Sequence, residues 1–127
     1  MPNPTVGVVD LGQIAITVRD VAQAKHFYAD ILGLKPLFDA GPNLSFLAAG
    51  SVRIMLTVPQ GAGEVGKNSI LYFRTAKLQE TYDQVLARGA RAERPPGLTA
   101  KLPDHELWMA FIRDPDGNLV GLMEERR

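Results

Sequence analysis

The stretch LWMAFIRDPDGNLVGLME, residues 107–124, determines how the rest of the chain is interpreted. Its centre, Asp114-Pro115-Asp116-Gly117, is a tight turn, because Pro presets φ and Gly supplies a permissive backbone. The apolar and aromatic residues on both sides predict two strands, 107–113 and 118–124, joined as a hairpin. Turn chemistry explains both carboxylates of the turn, so we assign them no catalytic role.

The first half of the chain has a related pattern. Residues 12–18 alternate β-branched with polar or small side chains, which predicts a strand. Asp20 stands where a helix N-cap is wanted, and Gly33 ends the predicted helix. Three further strands are predicted at 35–38, 44–48 and 52–58, separated by turn formers. The first half therefore has the order βαβββ.

After the glycine-rich connector 61–66 the same order begins again. We predict a strand at 69–74, a helix that Thr75 caps and Gly89 ends, a strand at 91–94, and then the closing hairpin. In this alignment Gln13 corresponds to Ser69, and Gly33 to Gly89. The prediction is an α+β fold in which two βαβββ modules form a curved mixed sheet with helices outside and a concave ligand cavity. The chain of 127 residues is expected to be a single domain, 1–127, with module one at about 10–60 and module two at about 67–125.

Two motifs resemble a known family. The segments 13–20, 27–28 and 31–34, QIAITVRD, FY and ILGL, resemble the opening module of vicinal-oxygen-chelate proteins, the glyoxalase, bleomycin resistance protein and extradiol dioxygenase superfamily. Residues 111–118, FIRDPDGN, resemble the closing hairpin of the same family. The resemblance covers about residues 11–124 and implies the fold predicted above, and it also implies a homodimer.

The resemblance further implies one divalent metal, held by His or Gln and Glu from the first and last strands of each module. Those positions fall on Gln13, Met55, Ser69 and Gly121. Among them only Gln13 offers a suitable oxygen, since Met is too soft for hard ions, Ser is a poor neutral ligand and Gly has no side chain. We therefore predict a member of this family that has lost its metal ligands and uses no metal or other cofactor.

His105 and Glu106 are the candidates for a displaced site or for metal-free acid and base catalysis. Neighbouring residues of an extended strand point to opposite faces, which argues against one ion held by both. The stretch 94–106 is rich in turn formers, so we interpret it as a long loop over the pocket, with Lys101 as an anion contact. The alternative is an ordinary loop whose charges are solvated.

Strand alternation suggests which residues line the cavity. Starting from Gln13, it gives Ala15, Thr17, Arg53, Met55, Thr57, Ser69, Leu71 and Phe73, and pairing across the turns adds Phe46, Trp108, Ala110 and Ile112. For Arg53 we favour a solvated side chain over a carboxylate or phosphate contact, and for Trp108 core packing and ligand stacking are equally well supported. The predicted ligand-binding residues are Gln13, Phe46, Arg53, Met55, Ser69, Lys101, His105 and Trp108.

Composition narrows the class of partner. Fourteen basic residues balance fourteen acidic ones, so no net charge favours nucleic acid or an anionic membrane. There is no cysteine, which excludes disulfides, thiolate metal sites and a cysteine nucleophile. Residues 1–5 lack the features of a signal peptide, and we expect a cytoplasmic protein whose partner is a small molecule.

The sequence thus predicts a metal-free small-molecule binding protein that encloses an apolar or aromatic ligand. The alternative is a metal-dependent lyase, isomerase or dioxygenase of the same superfamily. A third possibility is a regulatory or scaffolding domain in which the dimer matters more than the pocket. Fold alone does not decide among them.

Overall fold

The structure is a computed structural model that describes residues 6–127. Residues 1–5, which belong to the predicted domain and carried the expectation of no signal peptide, lie outside the described residues. In chain order the elements are β1 (Gln13–Thr17), α1 (Val21–Lys25) continuing as a π-helix (His26–Ile31), β2 (Lys35–Asp39), β3 (Leu44–Ala49), β4 (Val52–Thr57), β5 (Leu71–Arg74), α2 (Leu78–Ala87), β6 (Arg91–Lys101), β7 (Glu106–Arg113) and β8 (Leu119–Arg126).

The strands form two four-stranded mixed sheets with equivalent topology, which confirms the two βαβββ modules. Their orders are β1-β4-β3-β2 and β5-β8-β7-β6. In each sheet the first strand of the module runs parallel to the last, and the other neighbours are antiparallel. Within one chain the modules remain two separate sheets.

Both modules share one hydrophobic core, which lies on the sheet sides that face the helices. Ile54 and Leu56 of module one and Ile112 and Leu122 of module two belong to a single cluster of buried side chains. Each such fully buried aliphatic side chain contributes roughly 1.5–3 kcal/mol. One side of each sheet therefore packs in the core. We call the opposite side of the sheet its open face.

The first helix begins as predicted and then departs from the α-helical pattern. Asp20 accepts a hydrogen bond from the Gln23 backbone N–H at 3.0 Å, which confirms the N-cap. From His26 to Ile31 the backbone is π-helical, with the Leu32 N–H donating to the Phe27 carbonyl. A π-turn accommodates one more residue than an α-turn does.

This extra residue changes the alignment of the two modules. The helices begin 57 residues apart, at Val21 and Leu78, but their C-caps, Leu32 and Arg88, are 56 apart. The predicted equivalence of Gln13 with Ser69 was therefore wrong, because it assumed one constant spacing. Before the helices the correct spacing is 57, which pairs Gln13 with Ile70.

The segment 94–106, predicted as a long loop, is mostly a strand. β6 runs through Lys101 and pairs with β7 across three register shifts. Pro95 and Pro96 are tolerated because β6 is an edge strand with bulges, where missing N–H groups break no central ladder. Only residues 102–105 form the turn, and the other predicted strands agree with the observed ones to within two residues.

The closing turn joins module two to α1. The buried Asp114 carboxylate, 1% exposed, accepts a 2.7 Å hydrogen bond from the Tyr28 hydroxyl. It also accepts bonds from the Asp116 and Asn118 backbone N–H groups and from the Asn118 amide. Burial beside this carboxylate raises the pKa of Tyr28, which keeps the hydroxyl protonated as a donor. None of the described helices has the length and apolarity needed to cross a membrane.

Tyr28→Phe tests this junction. We expect it to lower the free energy of unfolding by about 1.5–3 kcal/mol, because it removes a hydrogen bond to a buried charged group. Tyr82→Phe is the matched control, since Tyr82 is a buried helical tyrosine whose hydroxyl has no partner among residues 6–127. Urea unfolding measures both, and equal effects of the two substitutions would show that the bond to Asp114 contributes nothing.

Candidate ligand-binding site

The open face of the first sheet carries an organised set of side chains. This first open face consists of Gln13, Ala15, Phe38, Phe46, Arg53 and Met55, which alternation and register place on the side away from the core. Gln13 lies directly opposite Arg53 on β4, and Phe46 lies opposite Met55. Four of the eight predicted ligand-binding residues are therefore brought together here.

Two contacts hold the exposed Arg53 side chain in a defined position. Its Nε donates a 2.7 Å hydrogen bond to the Gln13 amide oxygen, and its guanidinium lies 5.2 Å from the centre of the Phe46 ring. Phe38 stacks on the same ring at a centroid distance of 4.6 Å. Arg53 is exposed, in agreement with the expected solvated side chain, and its contacts with Gln13 and the Phe46 ring also hold it on the open face.

These contacts do not fit the divalent metal that the resemblance implies. The one suitable ligand atom, the Gln13 oxygen, already accepts from the Arg53 cation. The Gln13 amide nitrogen contacts the Met55 sulfur at 3.7 Å. In module two the aligned positions are Ile70 and Gly121, which supply no ligand atom from a side chain. Within residues 6–127 no group of three or more His, Asp or Glu side chains is suitably placed for a metal ion.

The open face of the second sheet repeats this architecture with different residues. This second open face consists of Tyr72, Arg94, Met109, Phe111, Gly121 and Met123. Phe111 occupies the place that Phe46 has in module one, and both rings are nearly buried, at 5% and 8% exposure. The Arg94 guanidinium lies 4.6 Å from the Phe111 ring centre, and Tyr72 meets that ring edge-on at 5.9 Å.

Gly121 allows Tyr72 to lie flat across the second sheet. A Cβ at position 121 would collide with the Tyr72 ring, whose Cγ would lie only 3.1 Å away. The equivalent pair in module one is Ala15 beside Met55, where the first-strand side chain is small and the last-strand side chain is large. The large side chain at the centre of the first open face therefore comes from the last strand of its module, and that of the second open face comes from the first strand.

Several residues predicted for the cavity lie on the core side instead. Leu71, Phe73, Ala110 and Ile112 belong to the shared core or pack against it, and Ser69 precedes β5. Trp108 also packs against the core, where Arg126 covers its ring at 4.1 Å and its Nε1 donates to Glu106. The one-residue error in module alignment explains Ser69, Leu71 and Phe73. For Trp108, Ala110 and Ile112, the strand register places these even-numbered residues on the helix side.

His105 and Glu106 lie at the β6–β7 turn, together with Lys101. The His105 ring is hydrogen-bonded at 2.7 Å to Asp104, and this bond followed by one from Arg127 lowers the pKa of the Asp104 carboxyl. Glu106 accepts the Trp108 indole N–H. These residues contact one another around a shallow depression and share no contact with Gln13 or Arg53 in the described part of the chain.

A larger groove of about 870 Å³ lies between the modules. Its walls are mainly core-side residues, among them Ile14, Ile54, Leu71 and Phe73, and Ser51 lies at its rim. Of the two open faces it includes only Tyr72. The groove also has polar residues, among them Arg74, Thr75 and Thr81. We give it less weight than the first open face, because there a fixed cation and an amide lie beside stacked aromatic rings.

Four residues of the open faces were not predicted from the sequence: Phe38, Tyr72, Arg94 and Phe111. In LYF, residues 71–73, three consecutive apolar residues carry no alternation that assigns Tyr72 to a face. Arg94 follows a register shift in β6, so its face does not follow from counting. The internal repeat was the available signal, since alignment of Phe46 with Phe111 identifies the equivalent rings.

Comparison with known proteins identifies one matching family model. It is described as Glyoxalase/Bleomycin resistance protein/Dioxygenase superfamily, and it matches residues 10–122. A curated relative, the uncharacterized protein YraH of Bacillus subtilis (strain 168), is 27% identical over 124 residues, covering 85% of this chain and 92% of YraH.

Solved structures show the same fold. TnmS3, an antibiotic binding protein from Streptomyces sp. CB03234, superposes with a TM-score of 0.77 at 21% identity, covering 95% of this chain and 99% of TnmS3. A glyoxalase-related enzyme from Fulvimarina pelagi superposes with a TM-score of 0.74 at 16% identity, covering 92% of this chain and 88% of that enzyme. At these identities the likeness concerns the fold.

A double-mutant cycle tests the packing of Tyr72 on Gly121. We expect Gly121→Ala to lower the free energy of unfolding by about 1–3 kcal/mol, because the new methyl group displaces the Tyr72 ring. In a Tyr72→Ala background the same substitution is expected to cost much less, since the obstructing ring is gone. Urea unfolding of the four proteins measures the coupling, and an equal cost in both backgrounds would refute this contact.

Proposed function

Because this chain belongs to the Glyoxalase/Bleomycin resistance protein/Dioxygenase superfamily, we propose that it is a cytoplasmic, metal-free protein that binds a small apolar or aromatic molecule. The observation that carries the proposal is the first open face, where Arg53 and Gln13 form a polar pair beside the stacked rings of Phe38 and Phe46. An apolar surface with a few fixed polar groups is the usual composition of a ligand site.

Exposed aromatic surface supports this function. Phe38 is 53% exposed and Tyr72 is 45% exposed, one on each open face. On the first open face Phe38 adjoins Phe46 and Met55, and such a contiguous apolar surface gains stability when a ligand or partner covers it. TnmS3, with the same fold, is described as an antibiotic binding protein, which is consistent with small-molecule binding here.

A homodimer completes the site in this proposal. A ligand lying on one open face alone would keep much of its surface in water. Ligand sites commonly bury about 70–90% of the surface of their ligand. We propose that the second open face of a partner subunit covers the first open face of its neighbour. Sedimentation equilibrium tests this assembly, and a monomeric mass of 13.9 kDa at every concentration would contradict it.

The alternative is a metal-dependent enzyme of the superfamily, in keeping with the glyoxalase-related enzyme among the structural neighbours. We give it less weight, because a metal at Gln13 would have to displace the Arg53 cation and would find no anionic ligand on Met55, Ile70 or Gly121. His105 and Glu106 stay candidate acid and base residues for any catalytic role, at the turn described above.

Metal retention distinguishes the two functions. After incubation with zinc, nickel, manganese and iron and exhaustive dialysis, we expect elemental analysis of the tag-free protein to find far less than one metal ion per chain. The physical reason is the lack of anionic or imidazole ligands around Gln13. One tightly held ion per chain, lost in Gln13→Ala or in His105→Ala, would favour the enzyme instead.

A blocking substitution locates the ligand. With naphthalene-2-carboxamide as a neutral aromatic probe, we expect isothermal titration to detect binding that Ala15→Trp weakens by at least about tenfold, because the new ring fills the first open face. Ser51→Trp is the matched control, since it places the same ring at the rim of the inter-module groove. Binding that Ser51→Trp abolishes and Ala15→Trp spares would assign the ligand to the groove.

A further inference from the structure

We propose that Arg53 supplies the cationic charge of the site and that the ligand is a planar organic anion, with a carboxylate or a chemically similar oxyanion bound to the guanidinium. This inference rests on the proposed binding function and names the class of ligand. The ligand's ring system would lie against the aromatic surface of the first open face.

The orientation of Arg53 leaves most of its donors free. Nε is occupied by the Gln13 oxygen, and neither Nη1 nor Nη2 has a hydrogen-bond partner among the described residues. The planar guanidinium fork matches a carboxylate in a bidentate arrangement. Because Gln13 and the Phe46 ring already fix the group, less side-chain entropy is lost when an anion binds.

The charge of Arg53 is not neutralised by the chain itself. Between residues 6 and 127, no Asp or Glu lies within ion-pair distance of Arg53 or Arg94, the two arginines stacked on the open-face phenylalanines. By contrast, Arg113 pairs with Glu93 at 2.9 Å and Arg126 pairs with Glu124 at 3.0 Å. Arg53 and Arg94 are therefore cations that no carboxylate among the described residues neutralises.

The anion position and the aromatic surface are adjacent. Arg53 lies 5.2 Å and Phe38 4.6 Å from the centre of the same Phe46 ring, so this ring links the guanidinium to the exposed Phe38 side chain. Met55, beside Gln13, extends the apolar surface. This arrangement favours a flat molecule with its charge at one edge.

In the proposed dimer, the second open face of the partner subunit brings a second cation into the same site. Arg94 on the second open face holds the place in module two that Phe38 holds in module one, since each pairs with the central phenylalanine of its sheet. Both guanidinium groups would then raise the local affinity for anions. A site that contains fixed cations binds cationic ligands more weakly, because like charges repel.

A pair of isosteric probes tests the inference. Naphthalene-2-carboxylate and naphthalene-2-carboxamide share one ring system and differ in charge. We expect isothermal titration to give at least about tenfold tighter binding of the carboxylate, because charge-assisted hydrogen bonds to a fixed guanidinium are stronger than neutral ones. Raising the salt concentration should weaken the carboxylate alone.

Substitutions assign the effect to one residue. Arg53→Met keeps the unbranched apolar part of the side chain but removes the charged fork, so it should remove most of the preference for the carboxylate over the carboxamide. Arg53→Lys retains the charge without the fork and should restore part of the preference. Arg126→Met is the matched control, because Arg126 is also stacked on an aromatic ring, Trp108, but on the core side of its sheet.

The outcomes separate the two proposals. Equal affinity for both probes, unchanged in Arg53→Met, would overturn the anion inference and leave small-molecule binding intact. A carboxylate preference lost equally in Arg126→Met would also overturn it, because the effect would then be general charge attraction. Failure of both probes to bind the dimer would overturn the proposed function and the inference together.

Discussion

The buried carboxylate of Asp114 is the constraint on which the arrangement of the two modules depends. It satisfies two backbone N–H groups of its own turn and receives the Tyr28 hydroxyl from the first helix. A charged group at 1% exposure is tolerated only when its hydrogen-bonding capacity is used, and here the partners come from both modules. Asn68, between the modules, adds bonds to Thr17 and Asn118, so the same junction holds the edge of β1. The two open faces are positioned by this junction without contributing to it.

The fold was largely predictable because its signals are local. The Asp20 cap, the glycines after both helices and the turn at 114–117 each specify a boundary through backbone chemistry that any context preserves. The extra residue between His26 and Ile31 left no such signal, since its side chains still bury a continuous helical face. The strand at 95–101 was missed for a related reason, because prolines argue against a strand only where a neighbour needs their N–H groups.

The candidate site was predictable only in module one, because the first strand of module two was aligned with an error of one residue. Gln13, Phe46, Arg53 and Met55 lie together because strand alternation and the β3–β4 hairpin fix them by short-range geometry. In module two a shift of one residue moves every side chain to the other side of the sheet, so a single miscounted position replaced Tyr72 by Leu71 and Phe73. The hydrogen bond between Arg53 and Gln13 was not predictable either, because strand alternation identifies side chains that share a face but gives no rotamers.

The two open faces differ in a way that bears on where a ligand fits. In module two the centre is already filled, because Gly121 leaves room that the Tyr72 ring occupies, and Arg94 covers Phe111. In module one the equivalent of Tyr72 is Ala15, so no first-strand ring lies across the sheet there, although the Gln13 side chain of the same strand contacts both Met55 and Arg53. One face is thus covered by an aromatic ring of its own first strand, and the other has a fixed cation near a small first-strand side chain. This difference is why we propose the first open face as the ligand site and the second as the surface that closes over it, since a preformed apolar surface covers a ligand with little loss of side-chain entropy.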